Sequence, residues 1–371
     1  MKPIPVNEPY LARNASKYLQ ECIDTGWISS EGPFVQQFET QFATLVNRKY
    51  GVAVCNGSAA LEVAIAALKI GSGDEVILPT FTIISCATAI VRAGAIPVVV
   101  DSDPHTWNMD VAQIETKITP RTKAIMVVHI YGLPVDVVPI IKLADQYGLA
   151  IIEDAAEMHG QTYRGRPCGS FGDISTFSFY ANKHITTGEG GMVLTDDEEL
   201  AERCRSLRNL CFQPQQRFIH EELGWNFRMT NLQAAVGVAQ LEELPACLIR
   251  KRKIGQYYNE LLANISGLQQ PMPRTDYAEN IYWVYGVVLC NERSETPAEV
   301  MKQLAARKIG ARPFFWPMHE QPVFRKMGLF AKESCPVAEK LARRGFYLPS
   351  GAALTDDAIE QVATALKEVL A

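Results

Sequence analysis

Several features are missing from the 371-residue sequence, and each absence excludes a class of protein. The nine cysteines are odd in number and irregularly spaced, and no pair has the CxxC spacing, which argues against a disulfide framework or a zinc site. We therefore predict reduced cysteines, most of them in the core, and no metal centre. Acidic residues outnumber basic ones by 41 to 36, so the basic excess of a typical nucleic-acid-binding protein is absent.

Long apolar stretches are missing as well. No run approaches the roughly 18 residues that a membrane-spanning helix needs, and the N-terminus lacks the apolar core of a signal peptide. These absences predict a cytoplasmic protein without membrane contact. The one basic cluster, residues 250–253, is most simply interpreted as a solvated helix face in preference to a nucleic-acid patch, and a local anion site for a substrate is a further alternative.

What the sequence does contain is a regular alternation of short Val- and Ile-rich runs with helical stretches. This alternation predicts βαβ units and a mostly parallel sheet covered by helices on both faces. The predicted strands are 51–55, 75–78, 97–101, 123–130, 149–154, 174–179 and 191–195, and the helices among and after them are 58–69, 84–93, 137–147 and 198–207.

The pattern changes after about residue 241, where longer helical stretches alternate with fewer strands. Helices are predicted at 250–262, 297–307 and 355–370, and strands at 282–289 and 311–315. We therefore predict a large domain over residues 1–240, whose first 30 residues form an N-terminal arm. A smaller α+β domain is predicted over residues 241–371.

Ligands of open α/β sheets bind beyond the carboxyl ends of the strands, so residues that directly follow strands are the first candidates for a site. Asn56, Gly57 and Ser58 connect a predicted strand to a helix. The free N–H groups of a helix N-terminus suit a phosphate, Gly57 permits close approach, and Ser58 adds a hydroxyl. The simpler alternative is that Ser58 caps the helix.

Asp154 ends a second apolar strand, where a buried carboxylate is costly unless it has a partner. An acid in this position suits a pyridine cofactor, whose ring nitrogen stays protonated beside an anion. The equally open alternative is an aspartate that caps the turn after the strand.

Lys183 follows a third strand in a segment rich in hydroxyl and glycine residues, from Ser178 to Gly191. A lysine amine can form an imine with an aldehyde and can carry a proton once it is displaced. A lone lysine in a loop is usually only solvated. Together, however, the three segments supply a phosphate-binding site, an acid and an imine-forming amine at one edge of one predicted sheet.

Six segments resemble one protein family, and the resemblance covers nearly the whole chain. The segments are residues 73–79, 94–101, 128–132, 153–157, 178–191 and 224–229. With them the sequence resembles the sugar aminotransferases of the DegT/DnrJ/EryC1/StrS family, which are fold-type I enzymes dependent on pyridoxal 5'-phosphate (PLP). The resemblance implies an α/β fold like that of aspartate aminotransferase. Its large domain would hold a mostly parallel, mixed seven-stranded sheet.

The resemblance also implies roles for individual residues. Lys183 would be the catalytic lysine that binds the cofactor aldehyde, and Asp154 would pair with the ring nitrogen. Glu157 occupies the position where the family often has a Gln beside the ring hydroxyl, so here the sequence departs from the usual family pattern. The residues implied in cofactor binding are Gly57, Ser58, Ala59, Asp154, Glu157, Ser178, Lys183 and Asn226, of which Ser58, the Ala59 amide and Ser178 would hold the phosphate.

Asn226 would reach the phosphate of the neighbouring subunit's cofactor, with Arg228 orienting it. This implies a homodimer whose active sites are shared between subunits.

Residues 26–32, 79–85 and 182–191 resemble family members that aminate C4 of GDP-4-keto-6-deoxymannose. Their amino donor is L-glutamate, which leaves as 2-oxoglutarate, and their product serves O-antigen and lipopolysaccharide biosynthesis. We therefore expect a nucleotide-linked 4-keto-6-deoxy sugar as substrate, GDP-linked in preference to dTDP- or UDP-linked. The candidate sugar contacts are Trp27, Ser29, Glu31, His184, Trp316 and His319. A core position for Trp316 and a structural hydrogen-bonded role for His319 are equal alternatives.

Two other functions are compatible with an α/β pattern. An NAD-dependent sugar-nucleotide oxidoreductase should show GxGxxG after its first strand, whereas this chain has Asn56-Gly57-Ser58-Ala59-Ala60 there. A non-catalytic regulator on the same scaffold should have lost the lysine, whereas Lys183 is present. Both alternatives are therefore disfavoured.

Overall fold

The computed structural model describes residues 2–213 and 215–371; Met1 and Pro214, which fall within the predicted large domain, lie outside the described residues. The strands are β1 (Tyr50–Val54), β2 (Glu75–Pro79), β3 (Ile96–Val100), β4 (Thr122–Val128), β5 (Ala150–Asp154), β6 (Thr162–Tyr163), β7 (Arg166–Pro167), β8 (Ile174–Ser178), β9 (Gly191–Thr195), β10 (Leu268–Gln269), β11 (Tyr285–Leu289), β12 (Arg312–Pro313) and β13 (Gly345–Leu348). The α-helices are α1 (Ala15–Thr25), α2 (Pro33–Val46), α3 (Gly57–Ala67), α4 (Ile84–Arg92), α5 (Val137–Tyr147), α6 (Glu198–Arg208), α7 (Asn231–Leu262), α8 (Pro297–Ala306), α9 (Pro322–Lys326), α10 (Pro336–Arg344) and α11 (Asp356–Val369).

The large sheet has seven strands in the order β1-β9-β8-β5-β4-β2-β3. Strands β8, β5, β4, β2 and β3 are mutually parallel, and β9 runs antiparallel to both β1 and β8. The predicted mostly parallel, mixed seven-stranded α/β sheet is therefore confirmed. Its predicted strands agree with the observed ones to within two residues at each end.

The sheet is buried on both faces because alternate residues of each strand enter different cores. On β4, Met126 and Val128 pack into one hydrophobic cluster with α3 and α4, whereas Ile125 and Val127 pack into a second cluster with α2 and α5. Side chains that alternate between two apolar environments explain why these strands are continuous hydrophobic runs in the sequence.

A second sheet, in the order β10-β11-β13-β12, is antiparallel throughout and lies in the C-terminal third of the chain. Its inner face packs with α8, α11 and the last part of α7 into a separate hydrophobic cluster. The predicted division at residue 240 falls inside α7, which runs across it without interruption. The two domains therefore stay a prediction.

Helix α7 differs most from the prediction, since it begins at Asn231 rather than near residue 250 and contains Pro245. Thr230 and Gln233 form a reciprocal capping box at its start, a sequence signature that identifies helix N-termini. Within the described chain, α7 alone is long and apolar enough to cross a membrane, yet it packs against α1 and α2 as a core helix does.

Residues 15–25 of the predicted N-terminal arm form α1, which packs on α7. The basic cluster at residues 250–253 is not a uniformly solvated face, because Lys251 is buried while Lys253 is exposed. The solvated-face interpretation is therefore wrong for Lys251.

Candidate active site

A cavity of about 580 Å³ opens at the carboxyl ends of β4, β5 and β8, where the sheet topology predicts a ligand site. Its volume falls in the range of small-molecule and cofactor sites. The sequence-predicted residues that line it are Gly57, Ser58, Asp154, Glu157, Ser178 and Lys183. Segments separated by more than 120 positions in the chain thus meet in one place.

The start of α3 forms one wall of the cavity. Asn56 caps the helix by accepting a hydrogen bond of 2.8 Å from the Ala59 N–H, so the alternative in which Ser58 is the cap is wrong. The Ser58 hydroxyl instead lies 2.7 Å from the hydroxyl of Ser85 on α4. The Ala59 N–H, expected to face a phosphate, is already engaged by Asn56.

Gly57 is required by the close approach of α3 to β8. A Cβ at position 57 would lie 2.7 Å from Cβ of Ser178, closer than such atoms come in proteins. Because no side chain fits there, the helix N-terminus and the Ser178 hydroxyl share one side of the cavity. This arrangement of backbone N–H groups and hydroxyls suits an anionic group.

Asp154 is buried at the end of β5. Its carboxylate accepts a hydrogen bond of 3.1 Å from the Ala156 N–H and a contact of 3.2 Å from the Cys86 thiol. Burial raises the pKa of Asp154, and those two donors and Lys183 oppose the shift only in part. Among the described residues no basic side chain hydrogen-bonds to this buried carboxylate, which therefore suits a cationic ligand group.

Lys183 and Glu157 face each other across the cavity, with 3.9 Å between Nζ and Oε1. Glu157 also accepts a hydrogen bond of 2.6 Å from the Tyr131 N–H. Burial raises the pKa of Glu157 to about 8, opposed by the charge of Lys183. Burial lowers the pKa of Lys183, opposed by the charges of Glu157 and Asp154, so its amine is neutral at lower pH than that of an ordinary lysine.

Several residues of the cavity were not anticipated from the sequence. Ser85 faces Ser58, and Trp283 and Tyr347 enter from the C-terminal third of the chain. Only the three-dimensional fold brings those aromatic residues to the sheet edge. No motif in the sequence marks them.

Asn226 lies on the surface and does not line the cavity. Its side-chain oxygen accepts hydrogen bonds of 3.0 and 2.8 Å from the Arg228 guanidinium, which also donates to the Asn209 side chain at 2.9 Å. The geometry agrees with an orienting role for Arg228.

The expected sugar contacts are dispersed. Trp27, Ser29 and Glu31 lie exposed in the turn between α1 and α2, outside the cavity. Trp316 is 44% exposed, so it is not a core aromatic; it follows the cavity residue Phe315 and has the guanidinium of Arg343 over its ring at 5.4 Å.

The two histidines among the expected contacts are buried. His184 is enclosed behind Lys183 and does not line the cavity. The His319 ring nitrogens lie 2.7 Å from the Thr80 hydroxyl and 3.2 Å from the Glu339 carboxylate. These hydrogen bonds support the alternative in which His319 is a structural residue.

Two groups of side chains in the described residues come close enough to hold a metal ion. In one, His129 lies 2.9 Å from Glu153, whose carboxylate also accepts the N–H groups of Gly169 and Phe171. The other joins His319, Glu320 and Glu339. The first group also includes Cys168, but both ring nitrogens of His129 and both carboxylate oxygens of Glu153 are already engaged in hydrogen bonds, which explains the burial of these two side chains without an ion.

Comparison with known proteins finds likeness along almost the whole chain. Residues 9–367 match the DegT/DnrJ/EryC1/StrS aminotransferase family. The chain is 43% identical to GDP-perosamine synthase of Caulobacter vibrioides over 367 residues, covering 99% of this chain and 98% of that protein. It is 42% identical to GDP-perosamine synthase of Escherichia coli O157:H7 over 368 residues, covering 99% of both.

Among solved structures, the aminotransferase TlmJ from Streptoalloteichus hindustanus superposes with a TM-score of 0.92 at 31% identity, covering 99% of this chain and 98% of that one.

Proposed function

Because the chain belongs to the DegT/DnrJ/EryC1/StrS family and is therefore a PLP-dependent sugar aminotransferase, we propose that it aminates C4 of GDP-4-keto-6-deoxymannose to give GDP-perosamine. L-glutamate would be the amino donor and 2-oxoglutarate the second product. The main support for this proposal is that Lys183, Asp154 and the start of α3 line the same cavity. The preference for GDP is supported by the names of the two perosamine synthases that share 42 and 43% of its sequence.

The residues of the cavity fit PLP. Bound there, PLP supplies an aldehyde that carries the amino group and a protonated ring that accepts electrons. Gly57, Ser58 and Ser178 would hold the phosphate where the missing Cβ of Gly57 leaves room. Asp154, whose hydrogen bonds come from the Cys86 thiol and the Ala156 N–H, would hold the ring nitrogen, and Glu157 the ring hydroxyl.

Lys183 would act twice. Its amine would bind the aldehyde, and when displaced by substrate it would take a proton from the substrate carbon and return it at the next step. Burial lowers the proton affinity of the amine, which favours the neutral form that takes the proton and also eases the return of that proton. The nearby charges of Glu157 and Asp154 keep the affinity high enough for the proton to be taken.

A homodimer is part of the proposal. Asn226 cannot serve the cavity of its own chain from its surface position, which supports a contact with a neighbouring subunit. Phe218, Ile219 and Leu223, which precede it, are 80, 61 and 92% exposed. Large apolar side chains grouped on a surface are typical of an interface between subunits.

The proposed function is tested by an amination assay on the purified holoenzyme. GDP-, dTDP- and UDP-linked 4-keto and 3-keto sugars are supplied with glutamate, and both 2-oxoglutarate and the amino sugar are measured. The GDP-linked 4-keto-6-deoxy sugar should give the highest kcat/KM. A preference for a dTDP- or UDP-linked sugar would reject the assigned nucleotide, and amination of no sugar would favour a regulator.

Glu157→Gln should remove a pH dependence from the stability of the apoprotein. A carboxyl whose folded-state pKa is raised to about 8 stabilises the fold most below its ordinary pKa of 4.5, and this contribution disappears as pH rises through about 8. A pKa that differs by one between the folded and unfolded chain changes the free energy of unfolding by about 1.4 kcal/mol. Urea unfolding of both proteins at several pH values should show the wild type losing more stability than the variant as pH increases. Parallel profiles would mean that Glu157 is ionised throughout.

A further inference from the structure

Trp283 contacts Lys183, yet the proposed mechanism does not use it. It precedes β11 and is 6% exposed, and its ring forms part of the cavity wall. The Lys183 Nζ lies 3.8 Å from the centroid of this ring. An ammonium group within about 6 Å of an indole face is attracted by the negative charge density of that face, more strongly when water is excluded.

Trp283 also holds the backbone next to Lys183. Its indole N–H donates a hydrogen bond of 3.0 Å to the carbonyl oxygen of Asn182. One side chain therefore contacts both the amine of Lys183 and the peptide that precedes it. A side chain that only filled space would need neither contact.

The position of Trp283 is itself fixed from two sides. Buried Lys251 donates a hydrogen bond of 3.1 Å to the Trp283 carbonyl and another to the Ser350 carbonyl. On the other side, a Cβ at Gly132 would lie 2.6 Å from the backbone nitrogen of Trp283, so only glycine lets the two segments approach. Burying a lysine costs free energy unless its protons find acceptors, and here backbone carbonyls provide them.

We propose that Trp283 is a positioning residue for Lys183, with its indole face supporting the ammonium form of the amine and its N–H fixing the adjoining peptide. Lys251 holds Trp283 in place. The proposal rests on the proposed function, since it assigns Lys183 as the reacting lysine. It places one determinant of the active site in the C-terminal third of the chain.

Other charged and titratable groups also face the Lys183 amine. Glu157 and Asp154 attract its proton, Cys86 contributes in the same direction, and the pKa values of His159 and His184 are lowered, which keeps both rings neutral. All of these side chains are retained when Trp283 is substituted. A change in the Lys183 titration on substitution of Trp283 therefore reports the indole.

The direction of that change separates positioning from space-filling. If the ring face stabilises the ammonium form, its removal lowers the titration midpoint of Lys183. If the ring only excludes water, its removal admits water and raises the midpoint towards that of a solvated lysine. The two roles therefore predict opposite results.

The experiment is competitive labelling of the apoprotein with acetic anhydride across a pH series, with the Lys183 peptide quantified by mass spectrometry. The midpoint should fall in the order wild type, Trp283→Phe, Trp283→Leu, and that of Trp283→Leu should lie about 0.5 to 1 pH unit below wild type. Lys251→Met should move it in the same direction by less. Trp107→Leu, which removes a buried indole that does not line the cavity, should leave it unchanged.

An unchanged or raised midpoint in the Trp283 series would overturn the proposal. If Trp283→Leu does not fold, Trp283→Phe and Lys251→Met decide by the same criterion. Borohydride reduction of the wild-type holoenzyme distinguishes this failure from that of the proposed function. A label on Lys183 together with the wrong order of midpoints rejects the role of Trp283 alone, whereas a label elsewhere rejects the assignment of Lys183.

Discussion

Lys183→Ala should abolish turnover while PLP remains able to bind. Alanine removes both the amine that binds the aldehyde and the amine that moves the proton, and loss of general acid–base catalysis alone typically costs about 10²–10⁴-fold in rate. The proposed phosphate-binding site at α3 and β8 is not changed by this substitution, so affinity for the cofactor should fall far less than kcat. The measurement is kcat in the amination assay beside bound PLP after gel filtration.

The best control for Lys183→Ala is Lys253→Ala. Lys253 is exposed and pairs with Asp356 at 3.1 Å, away from the cavity, so its removal should not affect turnover. Borohydride reduction of the wild-type holoenzyme followed by peptide mapping should label Lys183 and spare Lys251, a second lysine whose pKa is lowered by burial. Normal turnover in Lys183→Ala, or a label on Lys251, would contradict the assignment.

The large sheet was predictable because its signal is local. Strands buried on both faces need runs of Val and Ile, and such runs are visible without tertiary information. The carboxyl ends of parallel strands must share one edge, so Asp154 and Lys183 were expected near each other, and the structure brings both to one cavity.

The C-terminal contribution to the site could not be predicted in the same way. Trp283 and Tyr347 reach the cavity only because the second sheet packs beside the first, and this packing depends on contacts between distant residues. Lys251 was misinterpreted for a related reason. A run of four basic residues suggests solvation, and only the position of Trp283 and Ser350 shows that backbone carbonyls surround this lysine.

The start of α7 was missed although a local signal exists. Thr230 and Gln233 have the spacing of a capping box, but the helix that follows contains Pro245, which ordinarily ends a helix. The structure tolerates this proline because tertiary packing on α1, α2 and α11 stabilises the helix on both sides of it. Packing therefore outweighs the local preference.

Asp154→Asn should lower kcat by about 10²–10³-fold, the typical cost of removing one preorganised electrostatic partner, while the apoprotein becomes no less stable. Asparagine has the same shape but no charge, so it cannot keep a ring nitrogen protonated. Burial raises the pKa of Asp154 above its ordinary value of 3.8, so ionisation of this carboxyl at higher pH destabilises the fold. At neutral pH the variant, which lacks the charge, should therefore be more stable than the wild type. The measurements are kcat and the urea midpoint at neutral pH.

The matched control for this change is Asp197→Asn, in which the replaced aspartate caps α6 by accepting a hydrogen bond of 2.9 Å from the Leu200 N–H. Asparagine caps helices equally well, so neither kcat nor stability should change. A fall in both kcat and stability for Asp154→Asn would mean that Asp154 mainly supports the turn after β5, the role in which its bond to Ala156 matters most. Loss of activity with retained or increased stability is expected only if the buried charge binds a ligand, because burying a carboxylate costs the fold more than its two hydrogen bonds return.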